Sequence, residues 1–140
     1  MAYTATAQPI NGTLRHAIDV NGRHTIITDE PARLGGTDTA PTPHELLAAT
    51  LASCVSTMLM LYAKPRDIDL DDLRVDVDYG ADPTPRQVEI TIHLPDHLTD
   101  DQRKRLEKVA ETCPVRRALE AGFTFNERLL TTPSPIHVGA

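Results

Sequence analysis

The sequence predicts an α+β fold in which antiparallel sheet is arranged around one long apolar helix. Three observations lead there. Two Asn-Gly pairs, Asn11-Gly12 and Asn21-Gly22, punctuate alternating runs near the N-terminus. The stretch from Thr42 to Ala63 opens on a helix-start signal and carries no charge after Glu45. Two further alternating runs then precede an amphipathic stretch that is interrupted by Pro114. Alternation argues half-buried strands and a 3.6-residue period argues helices. Strands and helices in this order, with hairpin connections, make an α+β protein.

Each element has its own signal. Tyr3 to Ile10 is Thr- and Ala-rich and reads as extended. Leu14, His16, Ile18 and Val20 alternate with Arg15, Ala17 and Asp19, and Arg23 to Thr28 gives a third run. Asn-Gly supplies the positive φ angles of tight hairpin turns, so the three runs form a meander. The segment DEPARLGGTDTAP, 29–41, is a loop whose Gly35-Gly36 pair permits backbone angles that other residues avoid. Thr42, Pro43 and Glu45 stand at the cap, first and third positions of a helix, a capping box with proline at its start. The helix runs over 42–63 and stops at Lys64-Pro65. Leu73 to Tyr79 and Val88 to Leu94 alternate and form a second hairpin, with the turn over 80–85. Thr99 or Asp100 caps a helix with Leu106, Val109, Ala110 and Cys113 on one face. Pro114 disfavours helical geometry at Cys113, so a short second helix starts there and stops at Gly122. Phe123 to Leu130 reads as a last strand, and 131–140 as a loose tail. The chain is thus a single domain over 1–140: meander and loop at 1–41, central helix at 42–63, and a ββααβ part at 73–130.

Bulk properties exclude several functions. A chain of 140 residues buries about 70% of its unfolded surface and needs no disulfide or metal to fold. The formal charge of -6 comes with no basic block, which argues against nucleic acid. The N-terminus lacks the basic flank and apolar run of a signal peptide. Two cysteines in an unprocessed chain fit a reducing, cytoplasmic setting. No CxxC occurs and the six histidines lack zinc spacing, so no metal is expected. The 18 residues from Leu46 to Ala63 are uncharged, at the edge of what spans a bilayer. Dilution by Ala, Ser and Thr, and flanks without an aromatic belt, argue against that reading. A helix apolar on nearly all sides is buried on nearly all sides. So short a chain has little to cover it, and a second subunit is expected to supply the rest.

The two thiols carry the candidate chemistry. Cys113 lies at the start of the short helix, where free N–H groups favour a thiolate, and Arg116 and Arg117 follow closely. Its alternative is an apolar filler of the preceding helix. Cys54 lies mid-helix, beyond reach of its own helix's terminal N–H groups, and reads as an inert core thiol unless a cation arrives from elsewhere. Arg15, Arg23 and Arg33 are the candidates. Glu45 would orient such an arginine, although the capping box already uses it. Nine residues at about 100° each place Glu45 opposite Cys54 around the helix. His44 is a weaker candidate for a general base.

The segment DEPARLGGTDTAPTPHELLAATLASC, followed by TCPV at Cys113, resembles the OsmC/Ohr superfamily of osmotically induced and organic hydroperoxide resistance proteins. The similarity extends over roughly Tyr3 to Arg128. The glutamate stands one position after His44, as in the OsmC-like branch. The resemblance implies an OsmC-like fold, with antiparallel sheets wrapped around central helices in an intertwined homodimer. It further implies a thiol-dependent peroxidase for organic hydroperoxides, in which Cys54 attacks the peroxide and becomes a sulfenic acid. Cys113 then closes a disulfide with it, Arg15 holds the thiolate, and Glu45 orients the arginine. No cofactor is bound; an external dithiol of the dihydrolipoyl type, on a lipoylated protein or free, is the implied reductant. Leu51, Val55 and Met58, with Leu59, would form an apolar wall favouring alkyl hydroperoxides. Two other readings stay open: a small-ligand-binding protein on the same scaffold, and a slow redox sensor.

Overall fold

The computed structural model describes residues 2–80 and 87–131. The turn expected after Gly80 and the tail expected after Thr131 lie outside the described residues.

Strands β1 (Ala5–Pro9), β2 (His16–Val20) and β3 (His24–Thr28) form an antiparallel meander in that order. Ala5 faces Val20 and Pro9 faces His16, while His16 faces Thr28 and Val20 faces His24. Both Asn-Gly pairs take the positive φ angles that the hairpins need: 51° and 70° at Asn11-Gly12, 53° and 67° at Asn21-Gly22. The loop that follows folds back on itself through a 3-10 turn at Ala32–Leu34. Gly35 takes the left-handed conformation at its end, with φ 95°. Gly36 is glycine for a different reason. A Cβ there would lie 1.8 Å from the Glu30 carbonyl oxygen.

The central helix α1 spans Pro43–Ala63, with the Thr42–Glu45 capping box formed as the sequence predicts. Strands β4 (Arg74–Tyr79) and β5 (Val88–His93) make the second hairpin. Helix α2 (Asp100–Ala110) starts from Thr99, whose own capping box uses Gln102. Helix α3 (Pro114–Ala121) follows, with Cys113 as its N-cap. Leu51, Val55, Leu59 and Ala63 recur every fourth residue on α1 and form its buried stripe. Three of them meet Leu70, Leu98, Leu106, Ala110 and Cys113 in one core.

Two expectations are corrected. Phe123 to Leu130 is not a strand: the segment after α3 has no regular structure, with Phe125 83% and Leu129 100% exposed. An alternating run becomes a strand only beside another strand's edge, and within one chain none is paired with it. The 73–130 part is therefore ββαα in the single chain. Nor is α1 buried on nearly all sides. Ala49, Thr50, Ser53, Thr57 and Leu61 form an exposed, charge-free face, with Leu61 62% exposed. The meander does not cover it, and no residue before Cys54 joins the core or packs against it. By length and composition alone, Pro43–Arg66 could cross a membrane.

Candidate active site

The sequence separates Cys54 and Cys113 by 59 positions, and the fold joins them. Cys54 sits on the flank of α1, between its buried stripe and its exposed face, and is half-buried. Cys113 is 0% exposed within the core. Both are free thiols, and they touch through a hydrogen bond that stabilises the protonated form of Cys54, which makes Cys54 the donor.

The first turn of α3 supplies the rest of the polar surroundings. Pro114 occupies the first helical position, where a missing N–H costs nothing. The next two N–H groups point at sulfur. Val115 N–H donates to Cys54, and Arg116 N–H donates to Cys113 Sγ at 3.4 Å. A helix start thus serves both thiols, since its free donors and dipole favour negative charge. The sequence suggests this arrangement for Cys113 but not for Cys54, whose helix-start donors belong to a different helix.

Electrostatics set a limit on this activation. Burial pushes the Cys54 thiol up, as do the hydrogen bond to Cys113 and the charge Cys113 can carry, while the Val115 N–H pulls it down. Among the described residues no cation contributes. The arginines proposed from sequence stand elsewhere in the single chain. Arg15 donates to the Thr39 hydroxyl, while Arg23 and Arg33 are exposed on the meander and its loop. Glu45 closes the capping box, with its carboxylate 2.8 Å from Thr42 N. His44 lies with its ring 5.7 Å from that of Tyr79. One chain therefore brings together Cys54 and Cys113 but neither Arg15 nor Glu45 with them.

Beside the thiols lies a cavity of about 410 Å³ lined by Leu51, Val88, Ile90, Leu119 and the Arg116–Glu120 pair. Arg116 Nε lies 2.7 Å from Glu120. Leu51 forms part of the wall. Val55 is fully buried behind it, and Met58 is half-buried.

Asp29 is a residue that sequence reasoning missed. It is 1% exposed. Its carboxylate accepts from Glu30 N at 2.8 Å, from the Thr37 hydroxyl at 2.5 Å, and from the Thr39 N and hydroxyl at 3.1 and 2.9 Å. Thr39 in turn holds Arg15. The donors come from eight and ten residues away, and no period or motif announces such a ring. Foremost the Thr37 hydroxyl, then the other donors, hold the Asp29 carboxyl well below the usual carboxylate range, against the opposing effect of burial. A depressed carboxyl stabilises the fold above its unfolded pKa of about 3.9, and that contribution is lost as pH falls below it. Asp29→Asn is expected to speed amide exchange at Thr37 and Thr39 at neutral pH. At low pH, hydrogen-exchange mass spectrometry should find the gap between variant and wild type narrowed.

The model of the OsmC-like protein family matches residues 36–128, which include both cysteines. An uncharacterized protein of Acinetobacter baylyi is 24% identical over 136 residues, covering 94% of this chain and 95% of the relative. Among solved structures, one from Psychrobacter arcticus, described under osmotic stress induction and detoxification response, is 31% identical with a TM-score of 0.69. The match covers 81% of this chain and 85% of that one. An organic hydroperoxide resistance protein of Elizabethkingia anophelis shares the fold at 23% identity and a TM-score of 0.60, covering 84% and 86%. With a family match over most of its length and a thiol pair joined by the fold, this chain belongs to the OsmC-like protein family.

Proposed function

We propose that the protein is a thiol-dependent peroxidase that reduces organic hydroperoxides. The observation that carries this reading is the contact between the half-exposed Cys54 and the buried Cys113. The Cys54 thiolate attacks the terminal peroxide oxygen, the O–O bond breaks, and the alkoxide leaves as an alcohol after taking a proton. Cys54 is then a sulfenic acid. The Cys113 sulfur attacks it, water leaves, and a disulfide forms. An external dithiol of the dihydrolipoyl type returns both thiols and is itself oxidised to a disulfide. The apolar wall around Leu51 suits an alkyl substituent.

Activation of Cys54 calls for a cation that one chain does not supply. We assign it to Arg15 of a second copy, carried in on the meander and oriented by Thr39 and Asp29 rather than by Glu45. The exposed α1 face, the uncovered meander and the apolar segment 123–130 support an intertwined dimer. Light scattering should give a mass of two chains. Ser53→Arg, which sets a charge on the exposed α1 face, should reduce that to one chain and lower activity with it. The function is tested by following cumene hydroperoxide consumption with dihydrolipoamide as reductant. Turnover above that of heat-denatured protein supports it, and equal rates contradict it.

The upward push on Cys54 favours one second reading, a slow redox sensor. It forms the same disulfide but shows no sustained turnover with dithiol.

A further inference from the structure

The two sulfurs are unequal in ways that bear on how a disulfide between them would be cleaved. Cys54 is half-buried at the edge of α1, whereas Cys113 is 0% exposed. Leu106 and Ala110 share its core, and Val109 and Val115 pack against that core. An attacking thiolate must approach one sulfur from outside, along the S–S axis, and the other sulfur departs with the electron pair. Only the Cys54 side offers an approach. Departure is favoured where the leaving sulfur is already solvated by donors. Arg116 N–H lies 3.4 Å from Cys113 Sγ, and the Arg116 side chain lines the adjacent cavity, one helical turn into α3.

We propose that a reductant thiol attacks the Cys54–Cys113 disulfide at Cys54, and that Cys113 is the leaving thiolate, received by the first turn of α3 with Arg116 as a positioning residue. The reductant sulfur forms a bond to Cys54 Sγ as the Cys54–Cys113 bond breaks, and its proton goes to solvent. Cys113 takes the electron pair. A second reductant thiol then attacks the reductant sulfur of the mixed disulfide and frees Cys54. The net change is one protein disulfide reduced and two reductant thiols oxidised. The Arg116 guanidinium is tied to Glu120 at 2.7 Å, which keeps it on the cavity side of α3, and the Cys113 sulfur is among the charges acting on it.

This deepens the peroxidase reading by fixing the direction of its regeneration step, and it rests on the thiol pair of that reading. The experiment does not use peroxide, so the two can fail separately. The full-length protein is oxidised with diamide, freed of it, and exposed briefly to 2-mercaptoethanol, a neutral monothiol. Acid quenching, blocking of free thiols with N-ethylmaleimide in acidic denaturant, and peptide mass mapping then locate the adduct. The expected result is mercaptoethanol on Cys54 and maleimide on Cys113, in about tenfold excess over the reverse. An adduct on Cys113, an even split, or no intramolecular disulfide after diamide overturns the proposal. Arg116→Gln keeps the backbone N–H and removes the guanidinium. It should leave the adduct on Cys54 but slow cleavage severalfold, by a margin that shrinks as salt is raised. Equal rates at every salt concentration overturn the part assigned to the guanidinium.

Discussion

Cys54→Ser is expected to abolish hydroperoxide turnover, by at least about a thousandfold, because a serine hydroxyl can neither accept the peroxide oxygen nor form a disulfide. The rate of peroxide consumption, followed by ferrous oxidation assay, checks this. Cys113→Ser should behave differently. The first oxidation survives, since Cys54 is the exposed sulfur, and Cys54 stops at sulfenic acid or proceeds to sulfinic acid. The two variants thus separate attack from resolution. Equal loss of the first oxidation in both would assign the cysteines a shared structural role. The loss in Cys54→Ser is not expected to come from unfolding, since serine is close in size and the site is only half-buried.

Leu59→Ala is expected to be the most damaging single truncation for stability. Leu59 is fully buried at the centre of the core formed by α1, α2 and Cys113. Removing three carbons there loses their transfer energy and leaves a cavity, at a cost of about 3 kcal/mol. Thermal denaturation should show a drop of roughly 10 °C. Protein concentration must be held fixed, because subunit association adds to apparent stability. Cys54 packs on the same core, so the truncation should also loosen the thiol pair and slow disulfide closure.

Much of this architecture was legible because it is local. A hairpin turn needs only its Asn-Gly pair, and a helix start only Thr42, Pro43 and Glu45. Both are written in neighbouring residues. Cys113 as the cap of α3 followed from Pro114, which breaks one helix and begins the next. What was not legible depends on distant partners. Phe123 to Leu130 alternates as a strand does, yet alternation says nothing about whether an edge stands beside it. The uncharged length of α1 was read as burial on all sides, while one chain buries a single stripe. The same holds for the site. Contact between Cys54 and Cys113, and the Val115 N–H on Cys54, arise when α3 meets α1. Asp29 owes its importance to Thr37 and Thr39, which a folded loop brings back to it. Arg15 illustrates both sides. Its candidacy came from its place near the first turn, but its bond is to Thr39, a contact that neither spacing nor period reveals.

The central claim is that Cys54 and Cys113 form one redox unit driven by organic hydroperoxide. It is tested most directly by treating the fully reduced protein with one equivalent of cumene hydroperoxide and mapping the cysteine-containing peptides by mass spectrometry. The account predicts a single Cys54–Cys113 disulfide that dihydrolipoamide reduces. Two free thiols after excess peroxide would contradict it.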